Sequence, residues 1–190
     1  MTKDSIIHLP NKHLRSKSKK ITVIDKNIKQ VIEMMKAATI DWDKSREHEI
    51  GVALAAVQID QLYRIIIIRD DHEEKENSFF NVFINPRVTK YEGQLVDDYE
   101  GCLSVPEIYG KVPRYEKVHV SAIDENANAV KVVASDFMAR IFQHEIDHTN
   151  GKLFIDHIKD QPEAFYKLTK NGNLKKVDYE KDIRKNNILW

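Results

Sequence analysis

The segment His144–His148 reads His-Glu-Ile-Asp-His, and it constrains the fold more than any other part of the chain. Residues four apart share one face of an α-helix, with their β-carbons roughly 5–6 Å apart. Two imidazoles placed in this way can bind one divalent metal ion, and the glutamate after the first histidine can act as a general base toward water. The pattern therefore predicts a helix that carries His144, Glu145 and His148 toward a metal site. A surface helix with two solvated histidines is the alternative.

A metal site of this kind needs a third protein ligand. Cys102 is the stronger candidate, because a thiolate binds zinc or iron well and Gly101 lets the backbone approach closely. His157 and Glu163 are weaker candidates, since many proteases with the same motif use a downstream residue. A single cysteine is more often a small buried apolar residue. The residues alone therefore leave the third ligand open.

Composition excludes several classes of protein. A length of 190 residues with 42% hydrophobic content suits one domain with a single core. Lys+Arg 30 balances Asp+Glu 30, so net charge provides no general attraction to nucleic acid or to a membrane surface. One cysteine excludes an intrachain disulfide, which fits a reducing compartment. No signal-peptide stretch or membrane span is recognised, and we expect a soluble cytoplasmic protein.

Local patterns predict an α+β protein whose strands mostly precede the metal-binding helix. The expected helices cover residues 26–38, 137–149 and, in a short C-terminal stretch, 162–170. The expected strands cover residues 62–69, 79–84, 118–123 and 129–134, the last two as a hairpin. Polar residues predict a turn over 70–77 and an exposed loop over 41–49. Asn85-Pro86 is expected to end the second strand, and Asn150-Gly151 the metal-binding helix.

Three segments, in this order, resemble the three signature motifs of peptide deformylases. Gly51–Gln58 stands in the place of Gly-x-Gly-Leu-Ala-Ala-x-Gln. Glu100–Ser104 matches Glu-Gly-Cys-Leu-Ser in full, and Gln143–His148 matches Gln-His-Glu-x-Asp-His in full. The resemblance covers residues 5–160, so residues 1–190 are expected to form a single catalytic domain with a C-terminal extension over 161–190.

The resemblance implies a metal-dependent hydrolase that removes the N-formyl group from the N-terminal methionine of newly synthesised polypeptides and releases formate. It implies an α+β fold with antiparallel or mixed sheets packed around the central helix of the His-Glu-x-x-His motif. One divalent ion per chain is expected, namely Fe²⁺, with Zn²⁺, Ni²⁺ and Co²⁺ as alternatives. Its implied ligands are Cys102, His144 and His148.

The resemblance also assigns roles around the metal. Glu145 would be the general base, while the Gln58 side-chain amide and the Leu103 backbone N–H would stabilise the oxyanion. Phe137 and Ile141 lie on the same helix face as His144, and with Val52 they are expected to wall the methionine pocket. The full set of expected substrate-binding residues is Gly51, Val52, Leu54, Gly101, Arg114, Phe137 and Ile141.

The implied partners are N-formyl-Met nascent peptides at the ribosome. Any ribosome contact is expected to be transient and local, because the net charge is zero. We expect a monomer with no membrane and no direct nucleic-acid role.

One departure from the family pattern is Ala53, which stands where the first motif has its second glycine. A positive φ there would strain the backbone of an alanine, whereas a negative φ would leave only a narrower cleft. An active enzyme is expected, since the ligands, the base and the oxyanion donor are all present. Two alternatives stay open: a zinc metalloprotease that cuts internal peptide bonds, and a metal-binding protein that has lost catalysis.

Overall fold

The computed structural model describes residues 3–71 and 79–189. Its first helix, α1, spans Lys26–Lys44 and begins at Asp25, whose side chain accepts a 2.9 Å hydrogen bond from the Ile28 N–H. The prediction of an exposed loop from residue 41 is wrong for its first part, because α1 continues through it. Trp42 and Asp43 are buried there: the indole packs into the core, and the carboxylate pairs with the buried guanidinium of Arg69.

Seven strands of the described residues form one antiparallel sheet. The strands are β1 (Ala53–Ala55), β2 (Ile65–Arg69), β3 (Phe80–Cys102), β4 (Val105–Ile123), β5 (Ala129–Ser135), β6 (Phe165–Leu168) and β7 (Leu174–Lys176). Their order in the sheet is β1-β2-β3-β4-β6-β7, and β5 pairs with the other part of β4. Every named pairing is antiparallel, which confirms the α+β class with an antiparallel sheet.

Strand β3 is much longer than the segment that the sequence predicts. Asn85-Pro86 does not end it, because the pairing with β4 shifts register between Ile84 and Arg87 and then continues. A bulge of this kind accommodates a proline, which has no N–H to give to the ladder. Asn85 has a left-handed φ of 52°, and its side chain bonds both the N–H and the carbonyl of Ile21.

The hairpin predicted around residues 124–128 is confirmed, since β4 and β5 pair there and Asp124 accepts hydrogen bonds from the N–H groups of Asn126 and Asn128. The helix predicted over 162–170 is wrong. After one 3₁₀ turn, β6 pairs with β4, and Phe165 is buried against it. The turn predicted over 70–77 lies mostly outside the described residues.

The second helix, α2, spans Asp136–Thr149 and carries the His-Glu-x-x-His motif, as the sequence predicts. It ends at Asn150 and Gly151, which has φ +74°. Its apolar side packs on the sheet, where Phe142 meets Phe83 edge-on with ring centroids 4.9 Å apart. This packing directs the opposite side of α2 toward the end of β3. Within the described residues, no helix is long and apolar enough to cross a membrane.

Candidate metal centre and active site

Three potential ligands meet where β3 ends beside α2. One donor atom each from Cys102, His144 and His148 lies within 4.8 Å of the other two, and Cys102 Sγ is 3.3 Å from His148 Nε2. Tetrahedral coordination with metal–sulfur bonds of about 2.3 Å and metal–nitrogen bonds of about 2.05 Å places sulfur and nitrogen about 3.6 Å apart. The observed distance is within a few tenths of that value, and a thiolate with two imidazoles suits zinc or iron. The three residues therefore fit a divalent metal ion.

The two downstream candidates lie outside this group of ligands. His157 Nε2 is 2.7 Å from Asp147 Oδ2 and also contacts Arg114. Glu163 is exposed in the 3₁₀ turn that precedes β6. The structure thus favours Cys102 as the third ligand.

The ring of His144 is held by Glu100, a buried carboxylate on β3. His144 Nδ1 lies 2.9 Å from Glu100 Oε2, and Glu100 also accepts hydrogen bonds from Arg114 and Arg140. Burial raises the pKa of Glu100, but His144 and Arg114 outweigh it and hold the pKa well below its usual range. An ionised Glu100 fixes the His144 tautomer with its proton on Nδ1, which leaves Nε2 for the metal.

Two buried atoms on the other side of the centre lack such partners. His148 Nδ1 and Glu145 Oε2 make no hydrogen bond with any described residue. Burial and the neighbouring His144 lower the pKa of His148 well below its ordinary value, and burial raises the pKa of Glu145 to about 7. An ordered water molecule is the usual partner of such buried polar atoms, and His148 Nε2, the nitrogen beside Cys102 Sγ, remains the one that faces the other ligands.

Gln58 is oriented by its own backbone neighbours. It sits in the 3₁₀ turn Ala56–Ile59, and its Oε1 accepts a 2.8 Å hydrogen bond from the Ala55 N–H. This bond directs Nε2 to within 3.6 Å of Cys102 Sγ and 3.2 Å of Ser104 Oγ. The amide donor of Gln58 therefore faces the group of candidate ligands.

A cavity of about 450 Å³ opens beside the three ligands. Its volume lies in the range of small-ligand sites. The predicted residues that line it are Val52, Gln58, Gly101, Cys102, Leu103, Phe137, Ile141, His144 and Glu145.

The comparisons with known proteins place this geometry in a family. The sequence model described as polypeptide deformylase matches residues 3–164. The chain belongs to that family. The peptide deformylase of Thermomicrobium roseum is 38% identical over 165 residues, which cover 85% of this chain and 89% of that protein. The peptide deformylase of Blochmanniella floridana is 32% identical and covers 94% of this chain and 95% of its own length.

Solved structures agree with the sequence comparison. A peptide deformylase from Synechococcus elongatus in complex with actinonin superposes with a TM-score of 0.73 at 35% identity, covering 82% of this chain and 80% of that one. A peptide deformylase from Legionella pneumophila gives a TM-score of 0.71 at 35% identity, covering 80% and 83%. The fold and the motifs therefore identify the same family.

The structure does not bring three of the predicted substrate residues to the cavity wall. Leu54 is fully buried in the core. Gly51 donates its N–H to Asp43 Oδ1 at 2.6 Å and accepts from Arg69 Nε at 3.2 Å, so it anchors the first motif to α1 and β2. Arg114 is buried behind His144, where it bonds Glu100.

The backbone of Ala53 is that of an ordinary strand residue. It lies in β1, outside the set of residues with positive φ, so the alanine carries no left-handed strain. Ala53 is one of the residues that line the cavity, next to Val52. The departure from the family's glycine therefore narrows the cleft and leaves the backbone unstrained.

Sequence reasoning missed several residues that line the cavity, and three of them show why. Glu100 begins the second motif, and its charge beside a metal ligand was a usable signal for a carboxylate that orients a histidine. Arg140 lies four residues before His144, so helical spacing places both on one face. Tyr109 lines the cavity opposite Gly101, and no local pattern reveals it because the β3–β4 register brings the two together.

Proposed function

We propose that the chain hydrolyses the formyl amide at the N-terminal methionine of newly synthesised polypeptides and releases formate. The observation that supports it is the grouping of Cys102, His144 and His148 beside Glu145 at a cavity. Membership of the polypeptide deformylase family gives the same reaction. The enzyme is therefore a hydrolase that acts on a linear amide.

Metal ligation is the first part of the proposed mechanism. Cys102, His144 and His148 would hold one divalent ion, and Fe²⁺ is our choice, since two imidazoles and a thiolate suit iron as well as zinc, nickel and cobalt. When bound, the ion would supply Lewis-acid polarisation and an activated water at neutral pH. Metal dependence is a property of the family.

Proton transfer is assigned to Glu145. Its carboxylate, buried and without a hydrogen bond at Oε2, would accept a proton from the attacking water. The water oxygen bonds to the formyl carbon, the carbon–nitrogen bond breaks, and Glu145 delivers the proton to the departing amine. Formate and a free methionine amino group result.

The oxyanion that forms on the formyl oxygen needs donors already in place. We assign this role to the Gln58 Nε2 amide and to the Leu103 backbone N–H. Support comes from the Ala55–Gln58 hydrogen bond, which fixes the amide, and from Leu103, which follows Cys102 and lines the cavity.

The methionine side chain is assigned to the apolar part of the cavity. Val52, Phe137 and Ile141 line it, and Gly101 leaves room beside Cys102. Gly51 and Leu54 would shape this cleft through the backbone of the first motif. Arg114 would act on the substrate side only indirectly, through Glu100.

We further propose that α2 is the centre of one catalytic domain over residues 1–190, with 161–190 as its C-terminal extension. The pairing of β6 with β4 and the burial of Ile183 beside Phe165 support a joined extension. The protein is proposed to act in the cytoplasm as a monomer, on nascent chains that it meets by a transient local ribosome contact, with no membrane or nucleic-acid role.

Formate release tests the proposal. Protein purified without oxygen and loaded with iron or nickel would be given formyl-Met-Ala-Ser and, as the matched control, acetyl-Met-Ala-Ser. We expect formate from the first peptide and no cleavage of the second. Cleavage of internal bonds would favour the metalloprotease alternative, and binding of metal and peptide without turnover would favour the non-catalytic protein.

A further inference from the structure

Arg140 makes four hydrogen bonds beside the centre and has no role in the proposed reaction. It lies on α2, one turn before His144, and only 6% of the residue is exposed. It also lines the cavity. Burying the charge of Arg140 in this wall is costly unless the charge is paired, so its partners matter.

The guanidinium of Arg140 ties α2 to both long strands. Its Nη1 donates to the Val112 carbonyl of β4 at 2.7 Å and to the Asp98 carbonyl of β3 at 3.4 Å. Its Nη2 donates to the Val96 carbonyl of β3 at 2.7 Å. These bonds fix the side chain between helix and sheet.

A fourth bond connects Arg140 to the centre. Its Nη1 donates to Glu100 Oε1 at 2.8 Å, while Arg114 Nε donates to the same oxygen at 2.9 Å. The other oxygen, Oε2, accepts from Arg114 Nη2 at 3.1 Å and meets His144 Nδ1 at 2.9 Å. The two arginines therefore hold the carboxylate from two directions and fix the oxygen that His144 uses.

We propose that Arg140 is a positioning residue that sets the orientation of His144 through Glu100. The inference rests on the proposed metal site, in which His144 is a ligand. Arg140 anchors Glu100 to three strand carbonyls, and Glu100 then holds the imidazole with Nε2 toward Cys102. Arg114, bonded also to Asp147, supplies charge from the other side.

The test compares Arg140→Met, which keeps the stem length and removes all four bonds, with Arg140→Lys, which keeps the charge. Arg64→Met is the matched control, because Arg64 is also buried and bonds Thr149, Asn150 and Pro86 without touching a ligand or Glu100. Each protein is loaded with Co²⁺. The visible spectrum reports ligand geometry, and the rate of cobalt loss to a chelator reports affinity.

We expect Arg140→Met to change the cobalt spectrum and to lose the ion about 10-fold faster, the lower end of what partners of metal-bound histidines contribute. Arg140→Lys should fall between it and the unmodified protein. Arg64→Met should lower Tm and leave both readouts unchanged.

Equal spectra and loss rates in Arg140→Met and Arg64→Met would overturn the proposal, leaving Arg140 a purely structural residue. If Arg140→Met does not fold, Arg140→Lys decides by the same readouts. An unmodified protein without a thiolate-to-cobalt absorption band would refute the metal site itself. That result differs from the one that refutes only the role of Arg140, in which the unmodified protein shows the band and the variants keep it unchanged.

Discussion

The two histidines of one motif sit in opposite surroundings. His144 is held by a buried carboxylate that two arginines hold in turn, whereas His148 Nδ1 has no hydrogen-bond partner among the described residues. Their pKa values move apart: contacts with Cys102 and Glu100 outweigh burial and raise that of His144, and burial with the nearby His144 lowers that of His148. Hydrogen bonds within the protein therefore already hold the His144 ring, whereas none holds Nδ1 of the His148 ring.

Like His148 Nδ1, Glu145 Oε2 is buried and has no hydrogen-bond partner in the described part of the chain. An unpaired buried carboxylate destabilises a fold. Within the described residues, the hydrogen-bonding groups around His144 are paired, whereas Glu145 Oε2 and His148 Nδ1 are not. In the proposed mechanism this difference follows because the partner of Glu145 is the attacking water, which the protein alone does not supply.

The largest expected effect is at Glu145. Glu145→Gln should lower kcat for formate release by about 10²–10⁴-fold, the contribution of a general base, with metal content unchanged. The metal-free variant should unfold at a higher temperature, because a neutral amide is less costly to bury than an unpaired carboxylate. An unchanged kcat, or loss of bound metal, would mean that Glu145 has a structural role and is not the general base.

Gln58 should show the next largest effect. Gln58→Ala should lower kcat about 10²–10³-fold, as loss of an oxyanion donor does, and should change KM little. Steady-state kinetics on formyl-Met-Ala-Ser measures both constants. A rise in KM at constant kcat would mean that Gln58 binds substrate and transition state equally.

A substitution of Glu100 tests whether this carboxylate holds His144 in place for the metal. Glu100→Gln should raise the metal dissociation constant about 10–100-fold, because it loosens His144. Breaking a buried pair should also lower the free energy of unfolding by about 3–5 kcal/mol. Asp43→Asn is the control, since Asp43 pairs with the buried Arg69 away from the metal ligands. Its stability should fall similarly while metal affinity stays constant; equal losses of affinity in both variants would contradict a specific role for Glu100.

The smallest effect is expected at Ala53. Ala53→Gly should change kcat/KM by less than about 10-fold and lower stability by about 0.5–1 kcal/mol, because its φ is already ordinary and glycine weakens a strand. Kinetics and thermal unfolding measure the two changes. A gain above about 100-fold, or about 2.7 kcal/mol, would show that the alanine disables the site.

Local patterns predicted the elements whose chemistry is contained in a short window. The capped helix α1, the motif helix α2 and the β4–β5 hairpin are examples, and the motif residues Cys102, His144 and His148 do meet. The sequence does not predict the C-terminal end of α1, because the charge of Asp43 is neutralised there by an ion pair with Arg69, which is distant in sequence.

Long-range pairing explains the other failures. Residues 162–170 have a polar, helix-compatible pattern, yet β6 forms there because β4 offers an unpaired edge. The sequence position of Arg114 predicts a substrate contact, and only the fold shows that its guanidinium bonds Glu100. Contacts between residues far apart in sequence leave no periodic signal.

The central claim is that Cys102, His144 and His148 bind one metal ion, and X-ray absorption of the zinc-loaded protein tests it most directly. We predict one sulfur neighbour at about 2.3 Å and nitrogen neighbours at about 2.0–2.1 Å. A zinc shell of nitrogen and oxygen alone, unchanged in Cys102→Ser, would contradict the claim.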